Sequence, residues 1–394
     1  MPMTTPLDRL KRTPKRRLAL WGLVGYGLLL GAAALIGADI TLRSKTRWVK
    51  GTFAVVGRRG RNVYLPASPE TLSRGVIGLV PIRPNRGHAV LGEGKVAGTL
   101  VRREILEERG LIPNGSVAWV SSFVYNGTPE QLGIPFEHTS VTSPAGEMPA
   151  WHIPPTGPDK DALVIVVHGH GGQRAQGLRS LRALQRSGAG SLYVTFRNAH
   201  GAPRSANGYL TLGDEEAEDV LAALRWGQAN GYRRAVLYGF SMGGNIVLSV
   251  LRARFRPLPL PVLGVILDSP ALDWRDTIEW QGRRFGLPAF MARHVGTFVQ
   301  HLVTRRSGQN FDAVDQLSAA RHFDLPILLW HGTRDRTIPL AQAEALAAAR
   351  PDLVEYHRVE GAKHIRCWNL DPARYEAQLE SFLGRVLHPG EGPV

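Results

Sequence analysis

The sequence predicts a doubly wound, mostly parallel α/β sheet carrying a helical lid, preceded by one apolar helix and a small β-rich extension. Three observations carry that expectation. Unbroken valine- and leucine-rich runs alternate with helix-like segments over the C-terminal two thirds, as parallel strands buried on both faces require. Two of these runs end in glycine-rich turns, His168-Gly169-His170-Gly171-Gly172 and Gly239-Phe240-Ser241-Met242-Gly243-Gly244. Near the N-terminus, Leu18–Ala38 runs 21 residues without a charge, ahead of a region of short apolar runs punctuated by turn residues.

Residues 1–17 form a basic tail with Arg9, Lys11, Arg12, Lys15, Arg16 and Arg17. The apolar run that follows, within a segment 18–40, spans about 30 Å as a helix, enough to cross the hydrocarbon of a bilayer. A cleaved signal peptide is the competing reading, but its apolar core is usually about 7–15 residues, and no small-x-small cleavage site precedes Asp39. An uncleaved anchor is therefore expected. Arg43, Lys45, Arg47 and Lys50 follow the run, so the positive-inside bias narrowly favours a cytoplasmic tail and a body on the outer, periplasmic or extracellular side of the cytoplasmic membrane.

Residues 41–130 read as the β-rich extension. Strands are expected at Trp48–Val56, Val76–Val80, Ala89–Leu91, Val96–Val101 and Ser116–Val124, with segments such as Pro81-Ile82-Arg83-Pro84-Asn85 as turns. Arg102–Arg109 reads as a helix closed by Gly110. Nothing in this region points to chemistry.

The main domain is expected over 131–390. Glu137–Thr142 and Glu147–Ile153 form an opening hairpin across a Ser-Pro-Ala-Gly turn. Buried strands follow at Ala162–Val167, Leu192–Phe196, Ala235–Tyr238, Val262–Leu267, Pro326–Trp330 and Leu353–Val359. Helices are expected at Glu215–Gln228, Ser241–Arg254 and about Pro372–Val386, with a lid over about 271–322. In such a sheet ligands sit beyond the carboxyl ends of the strands.

At one of those ends stands Ser241, in a Gly-x-Ser-x-Gly set between a strand and a helix. The turn presents the hydroxyl at a helix N-terminus, and flanking glycines avoid clashes with the adjoining elements. A serine hydroxyl needs a neutral imidazole to take its proton, and the imidazole needs a carboxylate to orient it. Asp335 follows the strand ending at Trp330, and His364 follows the one ending at Val359, so the order Ser241, Asp335, His364 fits the fold. Asp268 also closes a strand and is the alternative acid, although Asp268-Ser269-Pro270 has the character of a turn. His168 and His331 precede glycines at strand ends and read as structural hydrogen-bonders.

Serine attack creates an oxyanion that needs N–H donors. Met242 is expected to supply one from its backbone and His170 the second, with Gly171 as the alternative. No metal or other cofactor is required, since the histidines near 168, 170 and 200 lack carboxylate or thiol partners at ligand spacing. The single cysteine, Cys367, permits no intramolecular disulfide and reads as a packed thiol. The formal charge of +15 comes mostly from arginines spread over the whole chain, with no recognition-helix or base-stacking pattern, so nucleic acid is not an expected partner.

Taken together, HGHGG at 168–172, RNAHGAPRS at 197–205, GFSMGG at 239–244, LDSPALDW at 267–274, HGTRDRTIP at 331–339 and GAKHIRCWN at 361–369 resemble the α/β-hydrolase superfamily. Within it they are similar to the membrane-tethered BEM46-like and serine-aminopeptidase-like branches. The resemblance covers about residues 135–388. It implies that Ser241 attacks an acyl carbonyl, His364 moves the proton and Asp335 supports it. Many relatives carry Asp-x-Arg-Gly-x-Gly-x-Ser where this chain has Thr195-Phe196-Arg197-Asn198-Ala199-His200-Gly201, so that loop's substrate contacts do not transfer. An apolar lid with Phe285, Phe290, Phe298 and Val299, close to a membrane, suits a lipid-like acyl ester. A peptidase or amidase on the same fold, and a non-catalytic envelope protein that uses the scaffold to bind a partner, are the competing readings.

Overall fold

The computed structural model describes residues 13–43, 53–55, 57–82, 87–125, 127–157, 159–252 and 255–390, with side chains in the N-terminal helix from residue 25 onward and none at 53–55. Arg9, Lys11, Arg12, Lys45, Arg47, Lys50, the start of Trp48–Val56 and the Arg83-Pro84-Asn85 turn fall outside the described residues, as do the side chains of Lys15, Arg16 and Arg17.

Among the described residues, two eight-stranded sheets make up the body. The first contains β1 (Phe53–Val55), β2 (Gly57–Arg59), β3 (Asn62–Pro66), β4 (Ile77–Pro81), β5 (His88–Leu91), β6 (Lys95–Ala97), β7 (Leu100–Arg109) and β8 (Val117–Ser121). Its order is β1-β8-β4-β5-β7-β3-β2, with β6 on β7, and every pair is antiparallel. Its small core gathers Val63, Leu65, Ile77, Leu79, Ile105 and Val120.

One expectation is corrected here: Arg102–Arg109 is not a helix but most of the ten-residue strand β7. Val101, Arg103 and Ile105 point inward while their neighbours face out. The charge at the middle inward position hid the two-residue period. Arg103 is fully buried because its guanidinium donates to the carbonyls of Thr71, Ser73, Gly75 and Gly92, satisfying the charge with backbone oxygens.

The second sheet has the order β16-β15-β14-β13-β11-β12-β10-β9. Its strands are β9 (Glu137–Ser143), β10 (Gly146–Ile153), β11 (Ala162–Val167), β12 (Gly190–Val194), β13 (Arg234–Phe240), β14 (Val262–Asp268), β15 (Ile327–Gly332) and β16 (Val354–Val359). From β12 to β16 all neighbours are parallel, while β9 and β10 form an antiparallel edge. Strand β11 shows why these runs are apolar throughout. It sends Leu163, Ile165 and Val167 into one core and Ala162, Val164 and Val166 into the other.

The N-terminal helix α1 (Thr13–Leu42) runs 30 residues, about 45 Å. Helices α2 (Leu181–Arg186), α3 (Glu216–Ala229) and α4 (Met242–Val250) connect the strands up to β14. Between β14 and β15 the chain forms α5 (Trp274–Arg284), α6 (Ala289–Ser307) and the short α7 (Gln316–Ala319). Helices α8 (Leu340–Ala349), α9 (Cys367–Leu370) and α10 (Pro372–Leu387) complete the fold.

The end of α1 is built into the body. Ala34, Ala38 and Leu42, at four-residue spacing, are fully buried in the same core as Val295, Val299 and Val303 of α6. Gly37 allows the approach, since a Cβ there would stand 2.8 Å from a methyl of Val299. Leu42 O accepts a 2.8 Å hydrogen bond from Leu210 N. Leu28, Leu29, Leu35 and Ile36 face outward.

Candidate active site

The parallel strands deliver three side chains to one edge of the sheet. β13 ends at Phe240, and the chain turns sharply at Ser241 before α4 begins at Met242. Ser241 has φ 52°, a left-handed conformation costly for a residue with a Cβ. Its surroundings hold it there. Ser241 N donates to Asp268 O at 2.9 Å, and Ser241 O accepts from Gly244 N at 2.9 Å and Ala271 N at 3.2 Å. The glycines are dictated by contact, because a Cβ on Gly239 would lie 2.4 Å from Gly243 O, and one on Gly243 would lie 2.3 Å from Val167 O.

His364 follows β16 across Gly361, and its Nε2 lies 2.9 Å from Ser241 Oγ. Its Nδ1 lies 2.7 Å from Asp335 Oδ2. In the tautomer that donates Nδ1–H to the carboxylate, Nε2 is left to accept the serine proton. Asp335 follows β15. Its other oxygen accepts from Thr337 N at 2.7 Å and Ile338 N at 3.0 Å, which fixes the plane of the carboxylate. Burial alone pushes this carboxyl up, but His364 and His331, together with their hydrogen bonds, outweigh it and hold Asp335 well below the usual carboxylate range. It is an anion at any ordinary pH.

The structure thus brings Ser241, Asp335 and His364 together and gives Asp268 other work. Asp268 is fully buried beneath the turn, accepts from Ser269 Oγ at 3.0 Å and Tyr375 Oη at 3.1 Å, and has its pKa raised by that burial. Ser269 Oγ in turn accepts from Ile365 N at 3.1 Å. Ser269 and Ile365 share the positive φ of Ser241, at 51° and 48°, so three strained residues interlock around the site. His331 is fully buried with Nε2 3.3 Å from Asp335 Oδ2. His168 is stacked on Phe196 and donates through Nδ1 to Gly169 O, and burial pushes its pKa down to about 4. Cys367 is buried, with its pKa well above the usual thiol range for that reason.

The turn after β11 lies directly against Ser241, since a Cβ on Gly169 would stand 3.0 Å from Ser241 Cβ. Gln176 Oε1 braces the turn by accepting from Gly169 N at 2.6 Å. The ring of His170 reaches Thr41 O at 3.1 Å, which ties this loop to the last turn of α1. Neither Gln176 nor Thr41 carried any signal in the sequence, because each acts through a fold contact rather than a motif. On the other side, Gln281 of α5 donates to Arg336 O and Thr337 O, joining the lid to the loop that follows Asp335. Arg197, in the loop that departs from the relatives' pattern, is spent on Asp219, Glu215 and Glu218 and so fixes that loop onto α3. Among the described residues no cluster of three or more histidine, cysteine or carboxylate side chains is placed to hold a metal.

A model of the alpha/beta hydrolase family matches residues 164–378, more than half of the chain. The chain belongs to that family. Among solved structures the hydrolase is similar to the esterase Pf2001 of Pyrococcus furiosus, at 21% identity and TM-score 0.52, over 67% of this chain and 97% of that one. It is also similar to a puromycin-hydrolyzing peptidase of Mycobacterium tuberculosis, at 17% identity and TM-score 0.51, over 87% of this chain and 55% of that one. These likenesses concern the fold. No curated protein matches the hydrolase in sequence.

Proposed function

We propose that the protein is a membrane-anchored serine hydrolase that cleaves carboxylic esters, lipid-like acyl esters among them, through an acyl-enzyme on Ser241. The observation that carries this reading is the continuous line from Ser241 Oγ to His364 Nε2 at 2.9 Å and from His364 Nδ1 to Asp335 at 2.7 Å. Ser241 Oγ bonds to the acyl carbon as His364 takes its proton. The backbone N–H groups of Met242 and His170 hold the oxyanion. Collapse of the tetrahedral species expels the alcohol, which receives the proton from His364, and water then attacks the acyl-enzyme by the same route. Asp335, anionic throughout, stabilises the imidazolium that each half-reaction creates.

A fluorophosphonate probe should label Ser241 in the full-length chain, and the Ser241→Ala protein should not be labelled. Equal labelling of both would defeat the proposal. The likeness to a peptidase supports a second reading, an amidase, and turnover of aminoacyl amides at rates matching p-nitrophenyl esters would favour it.

The anchor is α1, whose Gly25–Leu42 portion is long and apolar enough to cross a membrane. Its last turns support the uncleaved reading, because removing them would open the core at Ala34, Ala38 and Leu42. With the tail in the cytoplasm the catalytic body lies outside, so protease added to spheroplasts should digest it; protection would reverse the topology.

A further inference from the structure

The outer face of α6 is of unusual composition. It presents Phe290, Arg293, His294, Thr297, Phe298, His301 and Arg305 to solvent, and the whole helix contains no Asp or Glu. Arg284, at the end of α5, and Phe285, in the turn between α5 and α6, add to it. Phe285, Phe290 and Phe298 are 72%, 61% and 53% exposed, where such side chains are ordinarily covered. Among the described residues Arg284, Arg293 and Arg305 have no carboxylate partner. Arginines interleaved with exposed aromatics along one helix face match the interface of an anionic bilayer, where rings enter the acyl boundary and guanidinium groups meet phosphates. The opposite face of α6 carries Val295, Val299 and Val303 against Ala34 and Ala38 of α1. The surface is therefore continuous with the candidate membrane helix, whose Leu28, Leu29 and Ile36 are also exposed.

We infer that the outer face of α6, with the preceding turn, lies in the headgroup layer of an anionic membrane, so that the lid and the anchor form one membrane-embedded surface. This placement rests on the anchored ester-hydrolase reading and deepens it. The Leu18–Ala38 run is as long as the hydrocarbon is thick, yet its last residues are occupied by α6, so seating the full run brings α6 down to the bilayer. An ester dissolved in the leaflet then reaches the lid by lateral diffusion without passing through water.

The test uses the full-length chain reconstituted in vesicles of phosphatidylcholine, with and without about one third phosphatidylglycerol. Its one native cysteine, Cys367, is buried, which leaves introduced cysteines free for an environment-sensitive fluorophore. A label on Phe298→Cys should shift to the blue in vesicles and be quenched by nitroxide lipids, more strongly with the anionic lipid. A label on Lys160→Cys, exposed before β11 at the opposite edge of the sheet, should do neither. Equal, water-like emission at both sites would overturn the inference. A second variant, Phe290→Ser with Phe298→Ser, should lower the ratio of vesicle-borne to water-soluble ester hydrolysis by about tenfold, and an unchanged ratio would count against it. The fluorescence needs no turnover, so loss of all ester hydrolysis with the label still buried would sink the ester-hydrolase reading and leave the membrane placement standing.

Discussion

The two sheets have the same number of strands and opposite relations to chemistry. In the antiparallel sheet, β1–β8, neighbouring strands end on opposite edges, so no edge collects successive loops, and the buried guanidinium of Arg103 is spent on backbone carbonyls. In the second sheet six parallel strands finish on one edge, and three of the loops leaving that edge carry Ser241, Asp335 and His364. Strand direction, rather than strand count, decides where reactive groups gather. One link from the first sheet toward the site runs through Asn369. That side chain donates to Val76 O at 2.7 Å and Ser122 O at 2.8 Å and accepts from Arg179, which also holds Ile365 O beside His364.

The contrast is broken or sharpened by substitutions on either side of it. Ser241→Ala should lower ester turnover by about 10^4-fold or more, and Asp335→Asn by about 10^4-fold, with thermal unfolding little changed. A Ser241→Ala protein retaining a tenth of the activity would move the chemistry elsewhere. Arg103→Met strands four carbonyls in the antiparallel sheet and should cost about 4 kcal/mol by denaturant unfolding, while kcat of the folded fraction stays within about twofold. If activity vanished with stability intact, the first sheet would have to contribute to the reaction. Asn369→Ala removes this tie between the two sheets and should cost about 3 kcal/mol, with a several-fold drop in kcat as the His364 loop loosens.

A further effect is confined to acid. His168 titrates near 4 when folded and near 6.5 when unfolded, so below pH 6.5 the unfolded chain takes up a proton that the folded one refuses. Stability therefore falls as the pH drops from about 6.5 to 4, by about 3 kcal/mol at the low end. The His168→Asn variant should lose this dependence and match the parent's slope above pH 7. Midpoints of urea unfolding across the range would show it.

How much of this was legible in the sequence follows the same division. The parallel strands announced themselves as unbroken apolar runs, and Ser241, Asp335 and His364 each stand within a few residues after one, which is why the fold and the convergence of these three side chains could be anticipated. Strand β7 was misread as a helix because an inward charge at Arg103 mimics the polar face of a helix, and only tertiary contact with four carbonyls reveals it. The packing of α1 on α6 was illegible for a different reason. Ala34 and Ala38 satisfy lipid and protein alike, and hydrophobicity alone does not say which neighbour covers them.

The bond between the His170 ring and Thr41 O makes the end of α1 a part of the wall behind the turn that follows β11. Removal of the last turns of α1, from Ala34 to Leu42, would strip a wall from the loop beside Ser241 and leave a gap along the lid. A chain trimmed to begin at Arg43 loses Ala34, Ala38, Thr41 and Leu42 together, so it would sample a loop beside Ser241 without its brace.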